Sequence, residues 1–91
     1  MTFKNLLPLD EVDNYENPTI THHYKNHETG WEWWICAGEK IPHTNDYLFF
    51  GIWNIICKEM CEMTLSQIRE YGGELDTNWK TDKGLYDIME D

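Results

Sequence analysis

The chain has 91 residues, of which 41% are hydrophobic and 14% aromatic, and its seventeen acids against seven bases give a formal charge of -10. That length holds one hydrophobic core, and large rings that each bury on the order of 150–250 Å² exclude a wholly disordered polymer. The charge argues against direct nucleic-acid binding, because the field around the fold repels phosphate. No apolar run reaches the ~18 residues of a membrane helix, and "MTFKNLLPLDEVDNYE" turns acidic too soon for a signal peptide.

Residues 1–17 carry Asp10, Glu11, Asp13 and Glu16 between Pro8 and Pro18. This stretch is either a loosely ordered arm or a segment lying across a sheet, and Leu6, Leu7, Leu9 and Val12 argue for the second. From Thr19, "TITHHYK" alternates, with Ile20, His22 and Tyr24 opposed to Thr21, His23 and Lys25, as a half-buried strand does. "NHETG" is a turn. In "WEWWICA" the period of two sets Trp31, Trp33, Ile35 and Ala37 on one face and Glu32, Trp34 and Cys36 on the other. Trp33, with Trp53, is expected in the core, whereas Trp34 beside Glu32 is expected on a surface unless a helix covers it.

"GEKIPHTND" is a connecting loop, and "YLFFGIW" is apolar on both faces, as a central strand is. Gly51 within it calls for a close neighbour, for which a Trp ring is the expectation. "KEMCEM" alternates again and pairs back as a hairpin. Thr64-Leu65-Ser66-Gln67 has the form of a capping box, so a helix starts at Leu65 and ends at Gly72-Gly73, docking through Leu65 and Ile68. "ELDTNW" is a short strand or extended piece, and Leu85, Ile88 and Met89 stand at helical spacing near the end. The expected fold is a single α+β domain over 1–91: a small antiparallel sheet of four to five strands in a meander, with one or two short helices packed on one face.

Trp31-x-Trp33, "LFFG" from Leu48 to Gly51, Glu59 eight residues later and "TLSQI" from Thr64 to Ile68 together resemble an uncharacterised family of small bacterial, phage and plasmid proteins, a domain of unknown function. Its members show W-x-W, then L-F-F-G, then S-L-S-E-L. The likeness spans about Pro18 to Trp79, and "ELDTNW" is similar to that family's acid-x-x-aromatic segment. Where the family carries a polar, glycine-bearing turn, this chain has "NIIC", Asn54 to Cys57. Apolar residues at an exposed turn point to a contact made by Ile55 and Ile56. The resemblance implies a setting of mobile elements and phage genomes, in which small acidic proteins inhibit host defence systems.

Reactive constellations are sparse. Cys36, Cys57 and Cys61 are odd in number, which suits a reducing compartment and free thiols. Their spacing is poor for zinc, so no metal and no cofactor is expected. His22 and His23 alternate to opposite faces, and His27 and His43 fall in loops. Ser66 belongs to the helix cap, and no Gly-rich phosphate loop is present, so no catalytic residue is assigned and the chain is not expected to be an enzyme.

The expected function is a small acidic protein-binding module, phage- or mobile-element-encoded and cytoplasmic. It inhibits a host defence protein, in the manner of an anti-CRISPR or nucleic-acid mimic, by occupying a basic surface. The partner is a basic host protein and neither nucleic acid nor membrane; the chain itself is a monomer or homodimer. The residues assigned to the partner are Asp10, Glu11, Asp13 and Glu16, then Glu74 and Asp76, with Trp34, Ile55 and Ile56 as apolar anchors. The alternative is a structural accessory that self-assembles through Ile55, Ile56 and Trp34. A metal-dependent hydrolase is a third possibility and requires bound metal.

Overall fold

Alternation along the chain builds, among the described residues, one antiparallel sheet of five strands, β1 (His22–Lys25), β2 (Glu32–Lys40), β3 (Tyr47–Asn54), β4 (Lys58–Thr64) and β5 (Glu74–Leu75), in spatial order β4-β3-β2-β1-β5. The computed structural model describes Phe3 and residues 6–91. The first four strands form the expected meander. The chain then passes through helix α1 (Leu65–Glu70) and lays β5 at the opposite edge, beside β1. A 3-10 helix at Leu9–Asn14 and helix α2 (Leu85–Glu90) complete the elements among the described residues. Among the described residues no helix is long and apolar enough to cross a membrane.

β2 and β3 are the centre of the fold. Trp33 faces Trp53 and Trp34 faces Ile52 across their ladder, which is interrupted by a bulge between Ile35 and Ala37. Trp33 and Ile35 pack with Phe49, Met63, Leu65 and Ile68 on one face. Trp34 and Cys36 pack with Ile20, Ile52, Leu85 and Ile88 on the other. The bulge moves Ala37 to the Cys36 side, against the simple alternation. Ile20 also departs from the expected set, because β1 begins only at His22 and Ile20 turns under α2 before regular pairing starts.

The expectation of helices on one face is corrected: α1 covers the Trp33 face and α2 the Trp34 face. The reason lies in β3, whose Phe49 and Ile52 point opposite ways and are both fully buried. A strand apolar on both sides needs cover on both.

Helix ends match the local chemistry. The Thr64 hydroxyl accepts from the Gln67 amide at 3.1 Å while the Thr64 amide donates to the Gln67 side chain at 2.9 Å. At the other end Gly72 adopts a φ of 79°. Its N–H donates to Arg69 O at 3.0 Å and that of Gly73 to Ile68 O at 2.8 Å, the paired bonds of a Schellman turn.

The segment before β1 is tied down. β1 pairs only with Glu32 to Ile35 of β2, leaving the farther half of that edge open. Leu7 fills it, bridging Ala37 in parallel and accepting a bond from the Gly38 amide at 2.9 Å. Neighbouring side chains of an extended segment point to opposite faces, so Leu6 joins the Trp33 cluster and Leu7 the Trp34 cluster. Of the two readings of the N-terminal stretch, the segment lying across the sheet describes residues 6–17.

Candidate functional site: an acidic face over Trp34

The 3-10 helix packs Leu9 and Val12 against the Trp34 cluster, and α2 packs Leu85, Ile88 and Met89 there. Acid-rich segments from opposite ends of the chain thus share one side of the sheet. Asp10, Glu11 and Asp13 on the 3-10 helix, Glu16 just after it, and Asp87, Glu90 and Asp91 at α2 are all exposed. Glu62 on β4 adds to them, since it lies two residues from Met60, whose side chain packs on this face.

Backbone bonds hold the two segments together. The Ile20 amide donates to Lys83 O at 3.0 Å and the Leu85 amide to Pro18 O at 2.8 Å, while Thr19 bridges Gly84. Asn17 caps α2 in place of a residue of its own, its Oδ1 accepting from the Tyr86 amide at 2.9 Å and its Nδ2 donating to Asp87 at 3.0 Å. The Gly84 amide also donates to Asp87 at 2.9 Å. That bond, then the one from Asn17, holds the Asp87 carboxyl below its ordinary pKa. At the far end Lys58 donates to the carbonyls of Ile88 and Asp91, both at 2.7 Å, and Lys83 pairs with Asp91 at 2.7 Å. These two cations settle the C-terminal end of α2; the acids of the 3-10 helix have no ion-pair partner among the described residues.

Trp34 does not belong to a binding surface. It is 7% exposed, roofed by α2, stacked on His23 with ring centroids 5.5 Å apart and overlain by Lys58. Its expected role as an exposed anchor is corrected, because the covering helix comes from a distant stretch of chain. Asp76 stands beside His23 with its side chain 37% exposed. His23, 4% exposed, donates through Nε2 to the Glu32 carboxylate at 2.7 Å, and Asp76 lies 3.4 Å from Nδ1, in ion-pairing range but outside hydrogen-bond geometry. Trp79 closes the ring from the other side at 5.1 Å. Glu74 stays exposed at the sheet edge opposite Lys25. Ile55 is half-buried in the Trp33 cluster, and Ile56 is 96% exposed at the β3–β4 turn.

Sequence reasoning missed the His23–Glu32–Asp76 group. Its signal was the hairpin register: with His23 opposite Trp34, Glu32 is the diagonal neighbour on the same face. It also missed the 3-10 helix, whose three-residue period was present in the spacing of Leu9 and Val12.

Other polar groups are committed to structure. Ser66 donates to Asp46 through its hydroxyl at 2.7 Å and its amide at 3.0 Å. Burial pulls the Asp46 carboxyl upward, but the bonds from Ser66 and Tyr47 outweigh it and hold the group below its usual value. Ser66 is thereby a clamp between the β2–β3 loop and α1. Burial pushes the Cys36 thiol up to about 11, and the Glu59 carboxylate beside exposed Cys57 raises that thiol too, so both are poor nucleophiles near neutral pH. Among the described residues no group of three or more His, Cys, Asp or Glu side chains is placed to hold a metal ion. A cleft of about 520 Å³ opens between Tyr15, Thr19 and Trp79, but Thr21 and Thr81 on its wall are engaged in bonds that hold the neighbouring chain.

Comparison with protein-family models, with curated proteins and with solved structures finds no match.

Proposed function

We propose that the chain is a protein-binding module whose acidic face, formed by the 3-10 helix and α2 over the Trp34 side of the sheet, docks on a basic surface of another protein. The observation that carries this reading is the convergence of two acid-rich segments from opposite chain ends onto one side of a charge -10 molecule. Asp10, Glu11, Asp13 and Glu16 are the contact acids; Trp34 is withdrawn from the anchors because the fold buries it. In the mobile-element setting that the sequence resemblance implies, the partner is a nucleic-acid-binding host defence protein in the cytoplasm, and the module occupies its phosphate-binding groove. Charge of this kind acts mainly on association rate and specificity.

The test is binding to a panel of purified nucleic-acid-binding proteins with basic grooves, with duplex DNA as competitor. Replacing Asp10→Asn, Glu11→Gln, Asp13→Asn and Glu16→Gln together should weaken binding about tenfold or more, one decade for each ~1.4 kcal/mol lost. Affinity should also fall between about 50 and 200 mM salt, as screening weakens contacts between exposed charges. An unchanged affinity in the fourfold variant would sink the proposal.

Ile56 favours a second reading. A side chain 96% exposed on the turn between β3 and β4 suits self-assembly through Ile55 and Ile56, now without Trp34. Dimerisation on a sizing column that persists at high salt and is abolished by Ile56→Asp would select this reading over the first.

A further inference from the structure

The acidic face is not flat. Between the 3-10 helix and β4 runs a groove of about 230 Å³, floored by Leu9, Val12 and Phe50 and rimmed by Asp13 on one side and Glu62 on the other. Its volume is below the ~300–1,000 Å³ of ligand pockets, and it suits one long side chain better than a free small molecule. The floor belongs to the Trp34 cluster, and the Leu9 amide donates to the Glu39 carboxylate at 3.2 Å, so the wall carried by the 3-10 helix is anchored to β2. Neither rim carboxylate has an ion-pair partner among the described residues.

Resting on the acidic-face reading, we infer that this groove receives an arginine side chain from the basic partner. An arginine carries an apolar stem that lies along hydrocarbon while its charged head stays at the rim. Its planar guanidinium stacks on aromatic faces and offers a fork of donors to carboxylates. Phe50 supplies the ring; Asp13 and Glu62, from separate elements, supply the acceptors. A carboxylate of the partner would meet only repulsion here, and a purely apolar side chain would leave both rim acids desolvated and unpaired. Charge complementarity and the apolar floor therefore select the same occupant.

The probe is the tripeptide acetyl-Gly-Arg-Gly-amide, titrated into isotopically labelled protein and followed by amide chemical shifts, with the citrulline peptide as its neutral isostere. Shift changes should centre on Leu9, Val12, Asp13, Phe50 and Glu62. The citrulline peptide, and arginine against the Glu62→Gln variant, should each bind about tenfold more weakly, the scale of one charged hydrogen bond. Equal binding of the two peptides, shifts centred elsewhere, or indifference to Glu62→Gln overturns the inference. Glu62 lies on β4, outside the fourfold variant, so the two failures separate. Loss of partner binding in the fourfold variant without any groove shifts leaves the module reading standing and removes the arginine site. Groove shifts together with partner binding indifferent to the four acids remove the acidic-face reading and, with it, the basic partner as the source of the arginine.

Discussion

His23 concentrates more physical chemistry than any other single residue. Its ring is sandwiched between Trp34 and Trp79 and joined edgewise to Glu32, with Asp76 close by, so it ties β1, β2 and the stretch after β5 into one unit. Removing it leaves the Glu32 carboxylate half-buried without its partner, which costs about 1–3 kcal/mol. His23→Ala should therefore lower the urea midpoint by a matching amount. A His23→Ala variant as stable as the parent would show that the group is incidental. Trp34 illustrates the same point from the other side: its neighbours in sequence made it look like a surface residue, and its neighbours in space made it core.

At the scale of elements, Gly51 is a position where side-chain size is forbidden. It lies opposite Ile35 in the β2–β3 ladder, and a Cβ there would collide with the carbonyl oxygen of Trp34. The close approach was legible in the sequence, but its agent is backbone where a Trp ring was expected. A ring can rotate away; a carbonyl in a ladder cannot, so Gly51→Ala should destabilise by about 1–3 kcal/mol or more through overpacking, read as a loss of denaturation midpoint. A neutral Gly51→Ala would mean that β2 and β3 part more easily than their register implies. The capping box at Thr64 and the Gly72-Gly73 stop were readable because they are local, each closed by bonds within a few residues. The 3-10 helix was not read, since six residues with two apolar contacts carry too little periodicity.

For the whole molecule, proton linkage sets a direction. Burial lowers the pKa of His22 below 6.5, and hydrogen bonds hold Asp46 and Asp87 below 3.8. For each of the three the unfolded chain takes up its proton at a higher pH than the folded one, so stability is full above the unfolded value and lost as pH falls through the folded one. Urea midpoints should thus be level between about pH 7 and 8, decline below about 6.5 as His22 begins to favour the unfolded state, and decline again below about 4. His22→Gln should flatten the first step alone. Midpoints that rise on acidification would mean instead that relief of the -10 self-repulsion dominates.

Composition, charge and alternation by themselves determined the α+β class, the order of strands in the meander, the ends of α1 and the acidity of both chain termini, because each of these depends on residues close in sequence. Only the tertiary structure decided that the two helices cover opposite faces, that Trp34 is buried and Asp76 stands beside His23, and that both acidic segments meet on one side. Those facts arise from contacts such as Asn17 with Tyr86 and Asp87, or Lys58 with Ile88, between residues tens of positions apart. Local pattern states which side of an element must be covered; it does not state by what.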